Sequence, residues 1–374
     1  MRNLFRQLRK KRFAYEPLVE VRISKDALLY NLNVFASCAP QWGIAPVLKA
    51  NAYGHGLVDV ARILEDKPEI SFFVVDSYYE ALVLRNEGLR TPILVIGYTL
   101  TNNILESTLS DVAFTVGSIT QLRELVEKKV RQALHLKIDT GMHRQGIALS
   151  DVPSALDLVL KNRSVRIEGV CSHFADADGE DDAFTREQIR QWNEFTKTWR
   201  TRIPDTKYYH ISHTAGMRFV KEISANVGRL GIGLYGIASG TNLKPALEMK
   251  TRVTALRLVP KGETVGYNNT WTAKHDTLVA TIPVGYYEGV DRRLSNKGFV
   301  QVKGSMCPIV GRVSMNMTTV DVTDVTDVQE GGEAIVMSIH PEDKNSIMNM
   351  AQTCNTIPYD ILVHIPSTLR RVMI

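Results

Sequence analysis

The 374-residue chain is 44% hydrophobic and 23% charged, the proportions of a soluble globular protein with enough length for two domains. Its net charge of +5 collects at one end, where residues 1–12 carry Arg2, Arg6, Arg9, Lys10, Lys11 and Arg12 and no acid; the rest is near balance, so composition makes no case for a nucleic-acid partner. Neither a run of about 18 apolar residues nor an apolar stretch behind the basic segment is present, which argues against a membrane partner and against a secretory leader.

In chain order, residues 1–17 read as a solvated basic extension. From 18 to 245, short apolar runs alternate with helical patterns. The runs fall at 45–49, 72–76, 93–97, 112–116, 134–139, 167–172, 208–212 and about 226–228; helical patterns such as 78–87 and 120–128 lie between them. Eight such runs predict an α/β fold whose N-terminal part is a (β/α)8 TIM-type barrel. A doubly wound sheet is the alternative, because periodicity does not report closure. After 245 the texture changes to "RVTALRLVP", "TLVATIPVGY", "FVQV", "PIVGRV", "TTVDV" and "EAIVMS", with a helical pattern only at about 345–353. Residues 246–374 are therefore expected to form a mostly β C-terminal domain. Cys38, Cys171, Cys307 and Cys354 are scattered without C-x-x-C spacing. Neither a metal site nor a redox motif is expected, and reduced thiols fit a cytoplasmic setting.

In a barrel of this kind, chemistry collects at the C-terminal ends of the strands. The unusual residues fall there. Lys49 ends the first run in "VLKANAYGHG", with Tyr53 and His55 in a glycine-punctuated turn. Lys137 is late in the fifth run and Arg144 follows it in "LKIDTGMHRQG". His173 follows the sixth in "VCSHF". His213 and Thr214 follow the seventh in "ISHTAG", and Arg229, Gly231 and Ile232 follow the eighth in "NVGRLGIGLYG". Each has an ordinary alternative: a snorkelling lysine, a hydrogen-bonded structural histidine, an ion-paired arginine. "GIGLYG" matches G-x-G-x-x-G, but it closes the barrel pattern instead of following a first strand. It reads as a phosphate cradle, not an NAD fingerprint. A phosphate cradle, a strand-end lysine and no metal-ligand cluster together suggest pyridoxal 5'-phosphate, whose aldehyde a lysine can hold.

The segments "VLKANAYGHG", "KIDTGMHRQGI", "SHF", "RLGIGLYG", "VGY", "IPVGYYEG", "VGRVSMN" and "TIPYD" follow one another as in the alanine racemase family, the fold type III pyridoxal-phosphate enzymes. The chain resembles that family over essentially its whole length after the basic extension. The resemblance implies an isomerase that interconverts L-alanine and D-alanine, the latter for cell-wall peptidoglycan. It implies a homodimer whose active sites are shared between subunits. Lys49 is then the residue that holds the cofactor and the base on the D-side, and Tyr267 the base on the L-side, supplied by the partner subunit. Tyr53, Thr214, Gly231, Ile232 and Tyr359 would contact the phosphate. Arg229 would face the pyridine nitrogen and Arg144 the phenolic oxygen, with Lys137 as the lysine often carbamylated beside that arginine. His173 would link Arg229 to Tyr267. Arg144 and Met315 would serve the substrate side, Met315 through its backbone N–H to the carboxylate. Asp178, Tyr286, Arg292 and Arg312 match the substrate entrance.

Three departures stand out. His213 replaces a usual asparagine, Asn316 replaces an aspartate beside Met315, and Tyr287–Glu288 replaces Ala–Asp. The first two leave open a broader amino-acid racemase acting on serine, lysine or others, whereas keeping both Tyr267 and Tyr359 around the substrate methyl favours alanine. A related decarboxylase would carry an acid where Arg229 stands. A cofactor carrier would lack the β domain with Tyr267.

Overall fold

The structure, a computed structural model, describes residues 16–162, 165–238 and 242–374, so nearly all of the basic extension at 1–17 lies outside the described residues. Two compact units emerge. One is Ser24–Ala246; the other joins the segment ending at Ile23 to Leu247–Ile374.

The first unit is a parallel barrel. Its strands are β2 (Gly43–Pro46), β3 (Phe73–Val75), β4 (Ile93–Val95), β5 (Val112–Val116), β6 (Ala133–Asp139), β8 (Ile167–Cys171), β9 (Tyr208–His210) and β10 (Val227–Leu230); the short β7 (Ile147–Ala148) adds to the end of β6. Strands β3 to β9 form one parallel sheet, and β10 pairs in parallel with β2. Bridges Ile44–Ile70 and Val47–Val74 join β2 to β3. Backbone bonds from Asn226 N to Tyr209 O (3.0 Å) and from Arg229 N to Ser212 O (3.2 Å) join β9 to β10. The ring is thus closed, and the doubly wound alternative falls away.

Local sequence explains the elements. β3, β4 and β5 are apolar, β-branched runs buried at every residue, as strands covered on both faces must be. Outside the ring, Leu57–Leu64 buries Leu57, Val60, Ala61 and Leu64, one helical stripe. Ser77 and Glu80 form a capping box that starts Tyr78–Asn86. The longest helix, Ala183–Arg202, sets Trp192 and Trp199 fully out of solvent; truncating either to alanine would cost about 3–5 kcal/mol.

The second unit is mostly β. A six-stranded sheet runs in the order β17 (Ser305–Pro308), β16 (Phe299–Val302), β19 (Glu333–Met337), β11 (Leu247–Arg252), β1 (Glu20–Ile23) and β20 (Arg370–Met373). A second sheet orders β12 (Ala255–Val259), β15 (Thr277–Ile282) and β18 (Thr318–Asp321), and β13 (Thr264–Val265) pairs with β14 (Trp271–Thr272). The placement of β1 corrects the expectation that everything after residue 17 leads into the barrel. β1 pairs antiparallel with β11 and parallel with β20. Its alternation puts Val21 and Ile23 on one fully buried face, which needs a two-sided neighbour. Helix Ile347–Thr353 matches the expected pattern, and Pro358–Val363 is a helix that pattern missed. Among the described residues no helix is long and apolar enough to cross a membrane.

Candidate active site

The C-terminal ends of the barrel strands carry the candidate residues of the first unit. Lys49 does not end its strand as expected. β2 stops at Pro46, and Lys49 opens a turn in which Ala50, Asn51, Ala52 and Tyr53 all take left-handed backbone, with φ of 54, 55, 53 and 50°. Such a conformation is costly for side chains with a Cβ. Neighbours hold it: Glu80 Oε1 accepts the Ala50 N–H at 2.8 Å, and Asn51 Oδ1 accepts the Leu57 N–H at 2.9 Å. Lys49 itself is half-buried.

Arg229 is the hub of the opposite side. It lies inside β10 instead of after it, because its side chain turns inward onto the ends of neighbouring strands. Nη1 donates to His210 O at 2.8 Å and approaches His210 Nδ1 at 2.6 Å. Nη2 donates to Ser172 O (2.7 Å) and Ile211 O (2.8 Å) and reaches His173 Nδ1 at 3.0 Å. His210 Nε2 then meets His135 Nδ1 at 2.9 Å. A row His135–His210–Arg229–His173 results, buried along its length up to the half-buried His173. Burial and the arginine charge drive all three imidazoles toward the neutral form, His135 to a pKa of about 3 and His173 and His210 well below the ordinary value. Burial also lowers Arg229 to about 10, so it remains a cation at neutral pH. The His213 ring lies 5.1 Å from that of His173, and burial beside Arg229 lowers it to about 4. His135 and His210 escaped the sequence reading. Their one signal was a histidine set among the inward-alternating residues of two strand runs, LHLKID at 134–139 and YYHIS at 208–212.

Next to the row, Thr214 Oγ1 accepts the N–H groups of Gly231 (3.2 Å) and Gly233 (3.3 Å). A Cβ on Gly231 would sit 3.2 Å from Tyr53 Oη and 3.9 Å from Thr214 Oγ1. Two hydroxyls thus converge on a bare glycine backbone at the start of the turn Ile232–Tyr235. Lys137 Nζ lies 3.4 Å from Gln145 Oε1, and its pKa is lowered first by burial and further by Arg229 and Arg144. Arg144 and Asp178 are exposed.

The remaining candidates belong to the second unit. Tyr267 follows Gly266, whose φ is 78°, and is 67% exposed. Met315 is exposed in a loop, and Tyr359 stands in the first turn of Pro358–Val363. Tyr286 and Arg292 line one cavity of about 140 Å³ with Asp291 and His364. Arg312 is not among its lining residues, and its Nε is buried with no acceptor among the described residues.

Residues 23–239 match the family model of the alanine racemase N-terminal domain, and residues 246–373 that of the alanine racemase C-terminal domain. The chain belongs to the alanine racemase family. An alanine racemase of Sorangium cellulosum is 35% identical over 92% of this chain and 96% of its own length. Alanine racemase 2 of Caldanaerobacter subterraneus is 31% identical over 95% and 94%. Among solved structures, the alanine racemase of D-cycloserine-producing Streptomyces lavendulae superposes with a TM-score of 0.88 at 26% identity, covering 96% of this chain and 98% of that one. The Bacillus anthracis alanine racemase, solved with bound L-Ala-P, gives 0.87 at 28% identity, covering 97% and 96%. Alanine racemases depend on pyridoxal phosphate, and the barrel residues fit that group. The glycine cleft under Tyr53 and Thr214 suits a phosphate, and the buried cation of Arg229 suits an unprotonated pyridine nitrogen.

Proposed function

We propose that this chain interconverts L-alanine and D-alanine with Lys49 and Tyr267 as bases on opposite faces of the substrate. The observation that supports this most directly is the row His135–His210–Arg229–His173, which carries a fixed cation at one site and an oriented imidazole beside it. Tyr53, Thr214, Gly231, Ile232 and Tyr359 would hold the phosphate, and Lys49 the aldehyde carbon. Bound pyridoxal phosphate supplies the conjugated ring that draws electrons from the substrate Cα and loosens its proton.

The rest is done by the protein's own groups. Lys49 Nζ takes or returns the proton on the D-side and Tyr267 Oη on the L-side, so that no single base has to swing round a planar carbon. His173, accepting from Arg229 at Nδ1, has its own proton on Nε2 and can donate it to the Tyr267 oxygen. Met315 N–H and Arg144 would orient the substrate carboxylate and the cofactor's phenolic oxygen. Tyr267 and Tyr359 would crowd the methyl, which favours alanine over larger amino acids.

The active unit is a homodimer in which the C-terminal domain, residues 246–374, closes the barrel mouth of its partner. In support, Tyr267, Tyr287, Met315, Met317 and Ile357 are each more than half exposed in one chain, an unusual apolar set for a surface that stays bare. The free thiols of Cys38, Cys171, Cys307 and Cys354 accord with a cytoplasmic enzyme supplying D-alanine for peptidoglycan.

The test is a chirality assay of the purified holoenzyme with a panel of L-amino acids, with keto-acid and CO2 measured alongside. Loss of optical rotation for alanine without either by-product is the expected result. Borohydride reduction and peptide mapping should find the cofactor on Lys49. Attachment to another lysine, or a preference for a larger amino acid, would refute the assignment.

A further inference from the structure

Two of the departures from the family pattern meet in space. Asn316 Nδ2 donates to Glu288 Oε1 at 2.6 Å, and Glu288 Oε2 accepts the Gly285 N–H at 2.8 Å. Glu288 is buried, whereas Asn316 is exposed at the surface. Around this pair two further bonds tie the same segments: Tyr286 N donates to Ser314 O (3.0 Å) and Tyr287 N to Met315 O (2.9 Å). A Cβ on Gly285 would come within 2.2 Å of Ser314 O and 2.5 Å of Met315 O, so only glycine permits this approach. The Met315 N–H itself has no acceptor among the described residues.

We propose that Glu288 and Asn316 are positioning residues that lock the 314–316 loop so that the Met315 N–H is held ready for the substrate carboxylate. The proposal rests on the racemase reading given above. The family's usual residue is aspartate at both 288 and 316; here Glu288 reaches the 316 side chain at 2.6 Å, and an aspartate at 316 would keep that bond only by sharing a proton. Asparagine supplies a neutral donor instead. The two departures thus act as one pair: Glu288 keeps a carboxylate where the family has aspartate and Asn316 gives it a neutral donor, so the bond that ties the loop does not depend on a proton. An amide that touches substrate and transition state alike changes KM more than kcat.

The experiment compares Asn316→Asp, Asn316→Ala and the exchange Glu288→Gln with Asn316→Asp, all as holoenzymes. Each is measured for KM and kcat with alanine, for inhibition by propionate as a bare carboxylate probe, and for thermal midpoint across the neutral pH range. N316D should raise KM and the propionate inhibition constant about tenfold at the alkaline end, the size of a lost charge-assisted hydrogen bond. Both should recover as acid restores a shared proton. In the double variant the introduced glutamine donates from Nε2 to the introduced aspartate carboxylate, reversing that bond, while its Oε1 still accepts the Gly285 N–H, so it should return to wild type with no pH dependence. N316A should raise both constants equally at every pH. A purely structural role would lower the thermal midpoint and leave the pH profile of KM flat. N316D or N316A with wild-type KM and propionate binding, or a double variant as weak as N316D, would overturn the proposal. Should N316D fail to fold, N316A and the double variant decide. A wild-type enzyme that does not racemise alanine refutes the racemase reading; one that does, with none of these shifts, refutes this inference alone.

Discussion

Arg229 and His173 are joined from Nη2 to Nδ1 at 3.0 Å, with the arginine necessarily the donor. The other arm of the same guanidinium reaches His210 Nδ1 at 2.6 Å. A guanidinium has no lone pair to offer, so both imidazoles accept there and carry their protons on Nε2. His210 then donates onward to His135. One buried cation thereby fixes the tautomer of every ring in the row.

Arg229→Lys is therefore expected to be far from conservative. An ammonium is a single point that cannot serve three carbonyls and two rings on separate strand ends. Each buried acceptor left unpaired costs about 1–3 kcal/mol. Denaturant titration should show a loss of about 3 kcal/mol or more, together with a fall in kcat. A variant as stable as wild type would mean that the hub is not what holds these ends together.

The neutral histidines make stability depend on pH. His135 titrates near 6.5 when unfolded and near 3 when folded. Between these values the unfolded chain takes up a proton that the folded chain refuses. Stability is thus fully present above pH 6.5 and is lost as pH falls toward 3, with a slope of about 1.4 kcal/mol per pH unit for each such proton. His135→Gln keeps an acceptor for His210 and removes the titration. Its plot of unfolding free energy against pH should be shallower than that of wild type between these limits, and parallel plots would contradict the assignment.

Lys137 is poised for another chemistry. Burial and two nearby guanidinium groups favour its neutral amine, the form that adds CO2. The purified protein should carry one CO2 on this residue, visible by mass spectrometry under non-acidic conditions or by carbon NMR with labelled bicarbonate. Lys137→Ala should lose most activity and regain part of it when acetate is added. A native enzyme without the adduct that keeps full activity after exhaustive CO2 removal would dismiss this role.

Mixing subunits tests where Tyr267 acts. Lys49→Ala and Tyr267→Ala homodimers should each be nearly inactive. In a mixed dimer with sites shared across the two-fold axis, one site receives both substitutions and the other neither, so activity should return to about half of wild type. If Tyr267 served its own barrel, every site would lack one base and isolated mixed dimers would stay silent.

Much of this was legible in the residues. The barrel strands keep the order and spacing of the short apolar runs, whereas Lys49 opens a turn past its strand and Arg229 lies inside β10. What escaped depends on partners far away in the chain. The EVRI segment of β1 alternates as any half-buried strand does, and nothing in it names the sheet it joins. His135 and His210 sit inside strand runs, upstream of the strand-end positions where site residues are sought. "KANAY" has the composition of an ordinary right-handed helix, and its reversed hand becomes intelligible only once Glu80, thirty residues on, is seen to hold the Ala50 N–H. The union of Glu288 with Asn316 likewise turns two isolated oddities into one.

The left-handed turn after Lys49 also restricts what mutation can reach. An L-residue in that conformation forfeits about 1–2 kcal/mol, and side chains branched at Cβ forfeit most. A library randomised at positions 50 to 52 and selected for growth without added D-alanine should therefore retain glycine, asparagine, aspartate and alanine, and lose valine, isoleucine and threonine. That filter runs opposite to the preferences of the strand just before it. Genetic drift past the lysine is thus confined to the few residue types whose backbones bend the unusual way.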